Sequence, residues 1–236
     1  MCCRFLLLQE HYRAILAALG IGAAADFISR YNIAPGSAIH VVRPHGGTRN
    51  EGHEVVALRW GLTPAWARSD EPDDRLVNAR AETLAAKPSF RDALRSRRCV
   101  IPSSGFYEWQ TSGRTKKPWL FQRRDESAFG FAGLWESWRT SEGATIESCA
   151  VITSEPNAVM RPIHHRMPVM LAPAQFSAWL DRRNDTPAAL ADLLRPARDE
   201  TMSARAIGPH VSNVRHEGPE CLAAAGESPQ FSLGLY

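Results

Sequence analysis

Cys99-Val100-Ile101-Pro102-Ser103-Ser104-Gly105-Phe106-Tyr107-Glu108-Trp109 is the stretch on which the fold turns. It holds two short runs rich in β-branched and aromatic residues, 99–101 and 106–109, parted by Pro, Ser and Gly. It therefore reads as two strands with a break rather than as a helix. Downstream the grammar repeats at 119–123, 129–135 and 148–153, with polar turns such as 111–115 between. Upstream, 39–42 and 54–60 read as strands around a loop, 43–52, that holds Gly, His and Pro. Residues 201–207 read as a last strand. Helical spacing is confined to the margins. Tyr12, Ile15, Leu16 and Leu19 share a face and Gly20 stops them, and a short helix is expected over 23–29. Phe90, Ala93 and Leu94 mark a helix over 89–98, and Phe176, Trp179 and Leu180 another over 173–181. Thr186 with Pro187 starts a further one, Thr as cap and Pro in the first helical position. Many short strands with peripheral helices predict an α+β single domain over residues 1–225, with a barrel-like, mainly antiparallel β-sheet core. The tail, 226–236, has few anchors.

The 236 residues carry 28 Lys+Arg against 25 Asp+Glu, and 44% are hydrophobic. That apolar content with so small a net charge excludes dominant disorder. The longest apolar runs fall far short of the ~20 residues that span a bilayer, so no membrane partner is expected. The five cysteines, Cys2, Cys3, Cys99, Cys149 and Cys221, are odd in number and form no CxxC pair. They read as reduced thiols, not as a zinc ribbon or a disulfide frame. The three-Leu run after Arg4 is too short for a signal peptide, which makes a cytoplasmic location the expectation. The net charge of +3 hides an asymmetry. Between Lys87 and Arg124 ten basic residues face two acidic ones, giving +8, and the other 18 basic and 23 acidic residues give −5. Such a block reads as a polyanion footprint or as a solvated face. As a footprint, it would form one wall of a groove near Cys2.

Cys2 is the most informative residue. A small second residue permits removal of Met1, and the new terminus then carries an α-amine and a thiol two carbons apart. The amine has a pKa of roughly 7.7–8.0, so a neutral fraction exists near pH 7. An amine attacks an aldehyde to give an imine, and the neighbouring thiol closes a five-membered thiazolidine. That chemistry points at an aldehyde; the competing reading is a small residue placed second by accident. Asn78 and Arg80, in Asn78-Ala-Arg80-Ala-Glu82, offer an amide and a phosphate-matching fork, or a turn Asn and a surface ion pair. Strand alternation sends Glu108 to the face opposite Tyr107 and Trp109. There it is either desolvated and suited to proton transfer or simply on a wet face. His164 and His165 can move protons near neutral pH. In an extended chain they would point to different sides, so one of them faces any given site. No HExxH or comparable spacing calls for a metal, and no cofactor is expected. Seven tryptophans supply core and, beside basic residues, candidate platforms for exposed bases.

The order of these features resembles that of the SRAP family, the SOS-response-associated peptidases whose members shield abasic sites in DNA. The resemblance runs from Cys2 to about Leu222. It is carried by Cys2 with Arg4, Tyr31-Asn-Ile-Ala-Pro-Gly36, Arg59-Trp-Gly-Leu-Thr-Pro-Ala-Trp66, Val77-Asn-Ala-Arg-Ala-Glu82, Arg98-Cys-Val-Ile-Pro102 with Gly105-Phe-Tyr-Glu-Trp109, Thr153, Ile163-His-His-Arg-Met-Pro168 and Val214-Arg-His-Glu-Gly-Pro219. The family implies that Cys2, once terminal, attacks the ring-opened aldehyde of an abasic deoxyribose and forms a thiazolidine DNA–protein crosslink. It implies Asn78 beside the reacting sugar, Glu108 assisting imine formation and Met1 removal, and His164 opening the sugar ring and reversing the crosslink. Arg4, Arg80 and Arg166 would bind phosphates. Trp60 and Trp66 would line the strand path and wedge at a duplex junction, with Asn32, Pro35, Trp109 and Thr153 also against DNA. The partner implied is single-stranded DNA with abasic sites, including single/double-strand junctions, met by a monomer. Family members usually carry Gly where this chain has Cys3, whose own nitrogen lies in a peptide bond and cannot close the same ring. A thiol peptidase using Cys2 and His164 on other proteins, and a non-covalent binder of modified bases, are the competing function classes.

Overall fold

The computed structural model describes residues 3–22, 27–45, 52–67 and 74–226. Two β-systems share one core. The first is a five-stranded antiparallel sheet in the order β13–β8–β7–β1–β2, built from β1 (Phe5–Leu7), β2 (Arg30–Ile33), β7 (Gly105–Ser112), β8 (Thr115–Arg123) and β13 (Met202–Ala206). The second closes on itself. In it, β3 (Ala38–Pro44) pairs β4 (His53–Trp60) and β6 (Arg98–Ser103); β6 pairs β9 (Phe129–Arg139); β9 pairs β10 (Thr145–Ser154); and β10 returns to β4. Three short strands extend this barrel: β5 (Asn78–Arg80), β11 (Met167–Pro168) and β12 (Met170–Leu171). Helices α1 (Gln9–Ala18), α2 (Pro88–Ser96), α3 (Phe176–Leu180) and α4 (Pro187–Leu190) lie at the periphery, as expected from their one-sided apolar spacing. Thr186 caps α4 by accepting from the Ala189 N–H at 3.2 Å. The expected helix at 23–29 is not formed at 27–29, which are irregular; 23–26 lie outside the described residues, as does the tail from 227.

A five-strand barrel is narrow, and β9 shows how it fills. A Cβ at Gly130 would lie 2.3 Å from Val100, and one at Gly133 would lie 2.9 Å from both Cys99 and Ile101. Glycine at these positions lets the large side chains of β6 occupy the interior. Phe5 of the open sheet sets its ring edge against Trp60 and Phe131 of the barrel, at 5.3 and 5.6 Å, so the two systems are joined by aromatic packing. The far face of the open sheet has a smaller core, Leu6, Tyr107, Leu120, Ile207, Val211 and Cys221, covered by the segment 207–222.

The basic block does not form one wall. Arg98 is buried, and its guanidinium donates to the carbonyls of Trp179, Leu94, Arg95 and Asp181, joining α2 to α3. Arg97 pairs with Glu136 at 2.9 Å and Arg123 with Asp125 at 2.9 Å. Arg91 and Arg95 belong to α2, whereas Arg114, Lys116 and Lys117 ride the β7–β8 hairpin that carries Glu108. Linear clustering became two separate surfaces because the chain crosses from barrel to open sheet at Ser103–Gly105. Arg98→Met should cost about 3 kcal/mol in urea unfolding, since it strands buried carbonyls rather than a surface charge.

Candidate active site

The site is built where β5 takes over from β4. β10 pairs β4 in parallel at Ser148 and Cys149, then pairs β5 in parallel at Val151–Thr153. The handover occurs at Gly61, whose φ of +135° a side chain would oppose and whose N–H donates to the Cys149 carbonyl. Trp60, expected along a strand path, is instead fully buried, and its indole N–H donates to the Val77 carbonyl at 2.9 Å. It has no surface to offer DNA; it anchors the residue before Asn78. The exposed tryptophan of that motif is Trp66, at 63%.

Asn78 directs its amide Nδ2 at the sulfur of Cys3, 3.8 Å away. On the other side, β1 approaches β7: Tyr107 N–H donates to the Arg4 carbonyl at 2.9 Å, which brings Cys3 alongside Glu108. Glu108 is 4% exposed, on the face opposite Tyr107 as alternation requires. Burial raises its carboxyl above the ordinary range, and burial likewise raises the Cys3 thiol, against an opposing hydrogen bond from Asn78. Cys2 lies outside the described residues, but it is one peptide bond, ~3.8 Å between α-carbons, from Cys3.

The third wall is the turn 157–166. Arg161 N–H donates to Asn157 O and His164 N–H to Met160 O, both at 3.0 Å. The segment is thus coiled, not extended, and the expectation that the two histidines point apart fails. Their rings stack, with centroids 4.3 Å apart and planes 28° from parallel. His164 Nδ1 lies 3.0 Å from the backbone nitrogen of Arg166 and 3.2 Å from its carbonyl oxygen, so the turn anchors this ring nitrogen on the Arg166 backbone. Burial lowers the His164 pKa, keeping it neutral near pH 7. A polar groove of about 580 Å³ runs between this turn and β7, lined by His164, His165, Arg161, Trp109, Gln110 and Ser112 among others. Gln110 closes one end by donating to the Pro162 carbonyl at 3.1 Å.

Several residues expected against DNA also have partners within the protein. Arg166 grips both oxygens of Glu82 at 2.8 Å and donates to the Thr153 carbonyl at 2.6 Å. Burial opposes ionisation of Glu82, but the Arg166 hydrogen bonds outweigh it and hold the carboxyl below its ordinary range. Thr153 is itself buried. Arg4 is buried, donates to Asn32 Oδ1 at 2.7 Å and the Val211 carbonyl at 2.9 Å, and lies over the Trp109 ring. Asn32 in turn donates to the carbonyls of Asn213 and His216 at 2.9 and 2.8 Å. These side chains hold one another and the backbone around the site. Arg80 is exposed, opposite Thr153 in the ladder, while Trp109 and Pro35 are half-buried. Sequence reading passed over Gln110 and Ser112, and named His165 only as the alternative to His164. Both were legible by alternation from Glu108, whereas the placing of His165 on the same groove as His164 needed the turn. Among the described residues no group of three or more His, Cys, Asp or Glu could hold a metal ion.

A family model described as SOS response associated peptidase (SRAP) matches residues 1–214. Abasic site processing protein YoqW of Bacillus subtilis (strain 168) is 37% identical over 226 residues, 94% of this chain and 99% of that protein. Abasic site processing protein HMCES of Gallus gallus is 30% identical over 192 residues, 71% of this chain and 56% of that protein. The crystal structure of a protein from Bacteroides thetaiotaomicron has a TM-score of 0.82 at 26% identity, covering 95% of this chain and 100% of that one.

Proposed function

Since the chain belongs to the SOS response associated peptidase family, we propose that it processes abasic sites in single-stranded DNA by covalent capture through Cys2. The observation that carries this reading is that Asn78 and Glu108, distant in sequence, flank the thiol-bearing start of β1, while the His164 turn packs against β7, the strand that carries Glu108. Met1 is removed first, with Glu108 handling the proton. The freed amine adds to the aldehyde carbon, water leaves and an imine forms. The Cys2 sulfur then bonds to the imine carbon, its proton passes to nitrogen and the thiazolidine closes. A carboxyl whose proton affinity is raised by burial can give a proton to the departing hydroxyl and take one from the amine. His164, anchored at Nδ1 by the Arg166 backbone, can exchange protons with the sugar ring oxygen and C1 hydroxyl through its other ring nitrogen, which opens the ring or reverses the capture. The protein acts in the cytoplasm as a monomer and needs no cofactor.

Arg80, Trp66, Trp109 and Pro35 remain candidates to hold the strand, including at a junction with duplex. Arg80→Ala should weaken binding across sequences and reduce the salt slope by about one, measured by fluorescence anisotropy at several salt concentrations. The reading itself is tested by mixing the full chain with a single strand holding one abasic site, heating and running a denaturing gel. A heat-stable adduct that intact DNA does not form is expected; no adduct would refute it.

A further inference from the structure

The loop after β13 is held from beneath by side chains of the site, yet its tip is left open. Asn32, buried on β2, donates its amide N–H groups to the carbonyls of Val211, Asn213 and His216 at 3.3, 2.9 and 2.8 Å. Arg4 donates to the same Val211 carbonyl at 2.9 Å, and the Trp109 indole N–H donates to Ser212 Oγ at 3.0 Å. Within the loop, the Arg215 N–H donates to Asn213 Oδ1 and the His216 N–H to the Asn213 carbonyl, at 3.0 and 3.1 Å. The His216 ring closes this turn, with Nδ1 donating to the His210 carbonyl at 2.9 Å and Nε2 meeting the Asn213 amide nitrogen at 3.1 Å. At the tip, Val214 is 57% exposed and Arg215 is exposed too. The carboxylate of the neighbouring Glu217 is turned to the Tyr31 and Gly218 N–H groups instead.

We propose that the turn 213–216 is a lip of the DNA path, on which Arg215 takes a backbone phosphate and Val214 packs against the adjoining sugar or base, with Asn32 as the positioning residue that holds the turn. This rests on the single-strand reading above. Continuity with the site supports it: Trp109 lines the groove beside His164 and His165, and the same indole holds Ser212. Arg4, two residues from Cys2, holds Val211. The chemistry of the tip suits a nucleotide. A guanidinium fork matches phosphate oxygens, and an apolar side chain beside it meets the uncharged part of the same unit. The loop is tied at 211, 212, 213, 215 and 216 before any ligand arrives, so little ordering remains to oppose binding.

The test is fluorescence anisotropy of the whole protein with a labelled single strand that has no abasic site, at several salt concentrations, so that covalent capture plays no part. Both tip residues are exposed, so their variants keep the fold. Arg215→Ala should weaken binding about tenfold and reduce the salt slope by about one. Val214→Ser should weaken it about threefold and leave the slope as it is. Arg95→Ala, on the exposed face of α2, controls for the loss of one charge and should bind like wild type. Asn32→Ala should weaken binding by itself but add little in a chain that already carries Val214→Ser and Arg215→Ala. Arg215→Ala that binds like wild type, or that Arg95→Ala matches, would overturn the lip. A full further loss from Asn32→Ala in the doubly substituted chain would overturn its positioning role and put Asn32 itself on the DNA. If the wild type binds no single strand, the DNA reading falls and the lip with it, whereas binding without any adduct on abasic DNA refutes only the covalent capture.

Discussion

With Cys2→Ala, no heat-stable adduct to an abasic single strand is expected at any time point, a loss of at least about a hundredfold against wild type. The reason is chemical, not structural. Alanine keeps the α-amine and can still form an imine, but it has no sulfur to close the ring. An imine reverts with water, so any captured DNA should be released on heating. Borohydride makes the distinction visible: reduction of the imine to an amine should rescue a stable adduct in Cys2→Ala. Cys3→Ala, by contrast, should leave a stable adduct, because the Cys3 nitrogen lies in a peptide bond and its thiol is half-buried against Asn78. If Cys2→Ala forms the same heat-stable product without borohydride, the thiazolidine is wrong. Equal loss in both variants would instead assign the sulfur chemistry to the pair.

Glu108→Gln should slow adduct formation by about 10²–10⁴, the range that a placed proton donor or acceptor supplies. It should also stabilise the fold. The buried carboxyl has its pKa raised, so the stability Glu108 contributes is fully present below its unfolded value of roughly 4.3 and is lost as pH rises through the raised value. Gln keeps the shape without that titration. The variant should therefore melt above wild type at about pH 8, with the gap closing by about pH 4. Slower capture combined with higher stability is the signature of a group kept in an unfavourable place for its chemistry. Calorimetry at the two pH values, with rates from the same gel, checks both halves. A variant that is slower and also less stable at pH 8 would mean that Glu108 is a structural residue.

Much of this architecture was legible along the chain, for reasons that can be named. The strands at β6, β7, β8, β9 and β10 were set by runs whose β-branched and aromatic residues leave no helical face, and Gly113, at φ +58°, marks the tight β7–β8 turn. The face of Glu108 followed from alternation alone. What could not be read along the chain was which residues have distant partners. The family resemblance put Trp60 and Arg4 against DNA, and both side chains are buried. Their actual partners, Val77 and Asn32, become neighbours only when β4 hands over to β5 and β1 pairs β2. Arg166, which the resemblance makes a phosphate ligand, also pairs with Glu82, 84 positions earlier.

By itself, the sequence determined the list of reactive groups and their order: a Cys able to become terminal, an amide at Asn78, a carboxyl at Glu108 and an imidazole at His164. These are covalent facts, and alternation is a property of extended backbone that needs no tertiary context. Tertiary structure decided which groups meet and in what state. Closure of the barrel at β10 puts β5 beside the histidine turn, burial raises Glu108 and lowers His164, and the coiled segment 157–166 stacks His165 on His164 instead of turning it away. Protonation state and ring orientation depend on what surrounds a side chain in space, and that information is non-local.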